Sequence, residues 1–290
     1  MKDKFTLFSG KKLLKHYRWL FRRFLATMKY GHHKLSESPI IFGNAMPKSG
    51  SHLLTQILYG LVTIGPFINP GFPPVNRNEQ NNSLEEHQIL ENIRSMRSGD
   101  IRYGYIHARE PFFSLLTQQK YVHIFIYRDP RDMLISHIFY AKDMYPGHGM
   151  HDYYNQRLSS MEERINAAVK GVTEPGFELA SVRQRYESYL DWLKNPQTFT
   201  VKFEDLVIKS KSTFEKMLDY LENRGARFDC ARTTAVEKLI NQIQPQKSGT
   251  FRKGVSGEWK TYFTESNKDV FKLVAGNLLQ ELGYENTNDW

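Results

Sequence analysis

Cysteine is all but missing from this 290-residue chain: Cys230 stands alone, so no internal disulfide is available and a reducing, cytoplasmic setting is expected. Long apolar runs are missing too. Nothing approaches the roughly 20 residues that span a bilayer, and the opening Met1–Trp19 stretch lacks the uninterrupted apolar core of a secretory signal. Acidic residues are outnumbered, with 31 Asp and Glu against 40 Lys and Arg, for a net charge of +9. A basic balance suits an anionic partner: nucleic acid, a membrane surface or a polyphosphorylated nucleotide. No internal repeat is present. The 40% of hydrophobic residues suffices for a sizeable core, and the length fits one large α/β domain.

Residues 1–36 read as a basic amphipathic helical extension and 37–290 as the domain proper. Within 11–30, Leu13, Leu14, Tyr17, Leu20, Phe21, Phe24 and Met28 recur at helical spacing, while Lys12, Lys15, Arg18, Arg22, Arg23 and Lys29 occupy the other face. Two readings stand: a helix packed on the domain or on a partner chain with its cations outward, or a peripheral contact with an anionic membrane.

Beyond Ser38-Pro39, short apolar runs alternate with helical patterns. Strands are expected at 39–45, 101–107, 121–127 and 199–203, and helices from Leu53 and near 84–97, 132–140, 160–170, 177–193, 212–223, 231–242 and 267–282. Residues 65–83, rich in Pro, Gly and Asn, form an irregular excursion, and 141–155 read as a functional loop. Strands alternating with helices predict a P-loop-type parallel β-sheet flanked by helices on both faces, in a single domain.

Three segments carry chemistry. Pro47-Lys48-Ser49-Gly50-Ser51-His52 joins the first strand to its helix, where free backbone N–H groups and the positive end of a helix dipole favour an anion. It is not a Walker A loop, because its lysine precedes the glycine. Arg128-Asp129-Pro130-Arg131-Asp132 closes the third strand; Arg128 can grip an anion bidentately, or else pair with Asp129 or Asp132. Ser136, eight residues after Arg128 and about two turns on, can face the same pocket. Arg252-Lys253-Gly254, with Gly257 and Trp259 following, forms a cationic loop able to wrap a phosphate, or simply a solvated one.

In this order the three segments resemble the PAPS-dependent sulfotransferase family, most closely its cytosolic and bacterial branch, over roughly residues 39–285. The resemblance implies that Lys48, Ser49, Gly50, Ser51 and His52 hold the 5′-phosphosulfate, and that Arg128, Ser136, Arg252, Lys253 and Gly254 hold the 3′-phosphate of PAPS. It implies a catalytic base at the end of the second strand, which is His107 here, suited to proton transfer near neutrality. Lys48 then stabilises the leaving group, and no metal is called for. The match is imperfect. His52 replaces a threonine, Leu53 a tryptophan that stacks on adenine, Tyr105 a lysine, and Phe203 the tyrosine of a Tyr-Glu-Asp triplet. The second adenine segment has no recognisable counterpart within 230–246. Lys260, Thr264 and Asp269 loosely resemble a short dimerisation motif, which would make the chain a homodimer.

The acceptor is expected to be a small molecule with a hydroxyl or amine, not nucleic acid, bound by Phe67–Arg77, Ala108–Phe113 and Tyr140–Tyr154. Tyr145, His148, His151 and Tyr153 make the last of these aromatic and imidazole-rich. A membrane-associated glycolipid or glycan is the alternative acceptor. A P-loop small-molecule kinase and a non-catalytic basic binding protein are the competing classes.

Overall fold

A computed structural model describes residues 2–244 and 254–290, with side chains of the first helix described from Leu13 onward. The chain opens with α1 (Lys2–Tyr30) and α2 (His32–Glu37), then enters β1 (Ile40–Ala45), α3 (Ser51–Ile64), α4 (Glu86–Arg94), β2 (Ile101–Gly104), α5 (Phe112–Leu116), β3 (Tyr121–Tyr127) and α6 (Pro130–Phe139). Two π-helical turns, Tyr140–Met144 and Tyr153–Arg157, precede α7 (Met161–Lys170). A hairpin of β4 (Val172–Glu174) and β5 (Phe177–Leu179) leads to α8 (Val182–Glu187), α9 (Leu190–Lys194), β6 (Thr198–Lys202), α10 (Phe203–Ile208), α11 (Ser210–Asn223) and α12 (Arg232–Gln242). The chain closes with α13 (Trp259–Tyr262), α14 (Glu265–Ala275) and α15 (Leu278–Glu281).

The main sheet has the order β2-β1-β3-β6, and every pair is parallel. Side chains of β3 alternate between two cores. Tyr121, Phe125 and Tyr127 join the cluster built with α6, α7 and α14, whereas Val122, Ile124 and Ile126 join the one built with α3, α11 and α12. Burial on both faces is what a parallel sheet requires, since its crossover helices cover each side. Successive connections from β1 run in opposite directions along the sheet, to β2 and then to β3 on β1's other edge. The carboxyl ends of β1 and β3 therefore flank a topological switch point, where open α/β sheets bind ligands.

The structure corrects several expected boundaries. Residues 177–193 are not one helix: Gly171 and Gly176, both at φ 83°, turn the chain through the β4–β5 hairpin. The helical part then divides between α8 and α9, and the Ser188 carbonyl at the break accepts the Ala108 N–H at 2.7 Å. Helix 267–282 likewise breaks at Gly276, whose φ of 59° leaves the right-handed region. Residues 141–155 contain π-helical turns in place of a plain loop. Phe203 opens α10 and does not end a strand.

α1 is helical as predicted, yet it packs the other way round. Trp19 is buried, and its indole Nε1 donates to Asp100 Oδ1 at 2.9 Å, while Arg23 pairs with the same oxygen at 3.2 Å. Lys15 reaches Glu79 at 2.6 Å and Arg22 donates to the Asn69 carbonyl at 2.7 Å. These cations turn towards the domain, so the large apolar residues face outward. A buried, hydrogen-bonded tryptophan beside an ion-paired arginine outweighs the unspecific burial of the leucine stripe.

Candidate active site

A cavity of about 1030 Å³ opens at the carboxyl ends of β1 and β3, and all three chemistry-bearing segments reach it as far as they are described. The first enters as the 46–50 turn. Lys48 sits at φ 65° and Gly50 at φ 99°, so two residues of this turn leave the ordinary backbone regions. Glycine at position 50 has a second cause: a Cβ there would lie 2.6 Å from the Phe203 ring. Gly50 is the N-cap of α3 and offers no side-chain cap, so the first amides of a 14-residue helix remain free for an anion. Gly50, Ser51, His52 and Leu53 line the cavity with Lys48. Ser49 does not; its hydroxyl is buried beneath the turn with no protein partner. The ammonium of Lys48 lies 3.7 Å from the Tyr140 ring centroid, where the turn meets the aromatic wall.

Arg128 and Ser136 both line the cavity, about two turns apart along the chain. Arg128 does not form the intramotif ion pair considered above. Its Nη2 donates to the Val255 carbonyl at 3.1 Å, and its guanidinium lies 4.6 Å over Phe203. Asp129 instead caps α6 through the Arg131 N–H at 2.9 Å and pairs with the Arg131 guanidinium at 2.7 Å. Arg131 in turn stacks 3.9 Å from Trp259 and binds Glu285. Asp132 accepts the Gly257 N–H at 2.7 Å and the Trp259 N–H at 2.9 Å. The second segment therefore anchors the far end of the third, a role the motif spacing alone did not reveal. Burial pushes the Asp132 carboxyl up from its ordinary range, opposed by those two amides and by Arg128. Gly254 lines the cavity, while Arg252 and Lys253 lie outside the described residues.

His107 lines the same cavity, its exposed imidazole edge-on to Tyr189 at 4.9 Å. It follows β2 by three residues, and a side chain carries the sheet pairing that far. Asn44, fully buried in β1, both donates to and accepts from the backbone of Ile106. Burial against the cavity wall lowers the His107 pKa below its usual 6.5, and Arg109 lowers it further. His52 is lowered as well, first by burial and then by Lys48.

Tyr105, Tyr140, Tyr145 and His148 form an aromatic side of the cavity, and Arg77 and Asn81 its lip. The acceptor segments are thus met in part. Phe67 is core; Ala108, Arg109 and Phe113 border a separate shallow depression; His151 bonds the Ala141 carbonyl at 3.0 Å; and Tyr153 donates to Glu174 at 2.8 Å. Among the described residues no His, Cys, Asp and Glu side chains converge in a group that would hold a metal ion. An apolar end built by Leu53, Phe203, Leu206, Ile240 and Ile243 completes the cavity. Ile240 and Ile243 lie within 230–246, where sequence reasoning found no counterpart. Their aliphatic side chains carry no motif, and only the packing of α12 on α3 selects them.

A sulfotransferase domain model matches residues 40–283. The chain is 22% identical to the flavonol 3-sulfotransferase of Flaveria bidentis, over 96% of this chain and 93% of that protein. Its fold is similar to that of mouse sulfotransferase SULT7A1 complexed with PAP, with a TM-score of 0.59, 16% identity and coverage of 89% of this chain and 91% of the other. Retinol dehydratase in a complex with retinol and PAP gives a TM-score of 0.52 at 12% identity, covering 85% of this chain and 84% of the other.

Proposed function

Because the chain belongs to the sulfotransferase domain family, we propose that it moves a sulfuryl group from PAPS to a hydroxyl or amine of a small-molecule acceptor. The observation that carries this reading is the meeting, in one cavity, of the uncapped start of α3, the Arg128–Ser136 wall and His107. Two solved structures of similar fold hold PAP, the nucleotide that PAPS leaves behind.

In this reading the amides at the start of α3, with Lys48 and Ser51, hold the 5′-phosphosulfate. Arg128 and Ser136 hold the 3′-phosphate, with Gly254 beside them in the lining. The apolar end at Leu53, Phe203, Ile240 and Ile243 takes the adenine. His107 accepts the acceptor's proton as its oxygen or nitrogen attacks sulfur. The bond from sulfur to the bridging phosphate oxygen breaks, and its electron pair leaves with PAP. Lys48 neutralises the charge that develops on that oxygen. Holding donor and acceptor in line supplies the rest of the rate enhancement. A lowered His107 pKa suits this role, because the ring is neutral and able to take a proton at pH 7.

The aromatic side supports a ring-bearing acceptor whose hydroxyl points at His107. Dimer formation through 260–269 gains no support from local geometry: Thr264 is the N-cap of α14 in a capping box with Asn267, which accounts for it without a partner.

A transfer screen with [³⁵S]PAPS against phenols, sugars, glycolipids and amines tests the proposal. Labelled product that still forms in EDTA is expected, and this separates the reading from a Mg²⁺-dependent kinase. No labelled product with any acceptor, together with no binding of PAP, would overturn it.

A further inference from the structure

The face of α1 turned away from the domain is apolar along its described length. Leu13, Leu14, Tyr17, Leu20, Phe21, Phe24, Leu25 and Met28 are all exposed, with Phe21 at 61% and Met28 at 73%. Isolated exposed apolar residues are ordinary on a protein surface, but eight large ones on one helical stripe are not. The opposite face is already committed to the domain through Trp19, Lys15, Arg22 and Arg23, so the stripe cannot turn inward without breaking those contacts. We infer that α1 is a membrane-docking helix, its outward stripe seated at the headgroup–acyl boundary of an anionic bilayer.

Charge selects the occupant. From residue 4 to residue 36 the sequence contains no Asp or Glu, while Arg18 and Lys29 of α1 are exposed beside the stripe. A second copy pressed against this face would bring cation to cation with no carboxylate from residue 4 to residue 36 of either chain to offset it. Anionic lipid headgroups supply the missing charge, and the acyl boundary takes the Phe, Leu and Met side chains. No helix among the described residues is long and apolar enough to cross a membrane, so the contact is a helix lying in the interface plane. Docking also touches the cavity. α1 is tied through Arg22 to Asn69 and through Lys15 to Glu79, in the same excursion that gives Arg77 and Asn81 to the lip.

Co-sedimentation of the full chain with vesicles tests this, comparing phosphatidylcholine alone with a mixture containing roughly 30% phosphatidylserine. Binding at least about tenfold stronger to the anionic vesicles is expected, and Phe21→Glu/Phe24→Glu should lower it about tenfold or more. Both substituted side chains face solvent, so the melting temperature and PAP affinity of the double variant should match those of the parent. Equal, weak sedimentation with both vesicles, or undiminished binding of the double variant, would overturn the inference. So would equilibrium sedimentation that showed a dimer which the double variant abolishes, since a second copy would then cover the stripe. None of these outcomes depends on sulfuryl transfer, so this inference and the catalytic reading fail separately.

Discussion

The carboxamide of Asn44 clasps the backbone of Ile106 from both sides, Nδ2 donating to its carbonyl and Oδ1 accepting its N–H, each at 2.9 Å. The backbone ladder of β1 and β2 ends at Gly104, so this side chain carries the pairing two residues further. The Trp192 indole donates to the same Ile106 carbonyl at 2.9 Å. His107 is the next residue, and its position is therefore set from the sheet.

Asn44→Ala should loosen that clasp. The Ile106 N–H would lose its partner in a buried setting, a cost of about 1–3 kcal/mol. A drop in urea midpoint and a fall in kcat of about 10²-fold, with PAP affinity kept, are expected from stability and turnover measurements. Loss of PAP binding to the same degree as turnover would mean that Asn44 supports the whole site and not the placement of His107.

Asp132→Ala removes the acceptor for the Gly257 and Trp259 amides, and so frees the end of the loop that carries Gly254. PAP binding measured by titration calorimetry should weaken about tenfold or more, given about 1–3 kcal/mol for each amide left unpaired. Unchanged PAP affinity would separate this anchor from nucleotide binding.

His107 should impose an acid limb on kcat/KM. With its pKa lowered below 6.5, first by burial and then by Arg109, the ring is neutral at pH 7 and the rate falls only at lower pH. His107→Ala should cost about 10²–10⁴-fold in kcat. Arg109→Gln removes one of the lowering influences, so the limb should move to higher pH, most visibly at low ionic strength because Arg109 is exposed. A limb that moves to lower pH in Arg109→Gln would contradict the assignment.

His123 in β3 is fully buried, bonded at Nδ1 to the Thr198 hydroxyl, and burial pushes its pKa down to about 3. In the unfolded chain the ring takes up a proton near pH 6.5, while in the fold it stays neutral. The unfolded state thus binds more protons below that pH, and stability attributable to this group is lost as pH falls. The stability advantage of the parent over His123→Gln should shrink by up to about 1.4 kcal/mol per pH unit between roughly pH 6 and pH 4. Urea unfolding of both proteins across that interval measures it; an advantage that grows on acidification would refute the account.

Much of the fold was legible because its signals are local. The run Tyr121–Tyr127 is apolar, aromatic and β-branched, and it is the central strand residue for residue. Lys48, Gly50, Arg128 and Ser136 could be singled out because an anion-binding turn and a two-turn helical spacing are short-range patterns. The 177–193 segment misled because its helical spacing extends across a break that a tertiary contact makes, from Ala108 to the Ser188 carbonyl. In α1 the periodicity was right, but a period says only that two faces differ and not which one meets the domain.

The amino-acid sequence by itself determined the alternating strand and helix pattern, the turn between β1 and α3 and the family. Each of these is written in contiguous residues and their backbone preferences. Only the tertiary structure decided that Asp132 anchors the third segment, that Asn44 places His107, that Ile240 and Ile243 close the cavity, and that α1 turns its cations inward. These depend on contacts between residues as far apart as 188 positions, as for Gln56 and Gln244 between α3 and the chain just past α12, whose energies come from burial and hydrogen-bond geometry that no local pattern records.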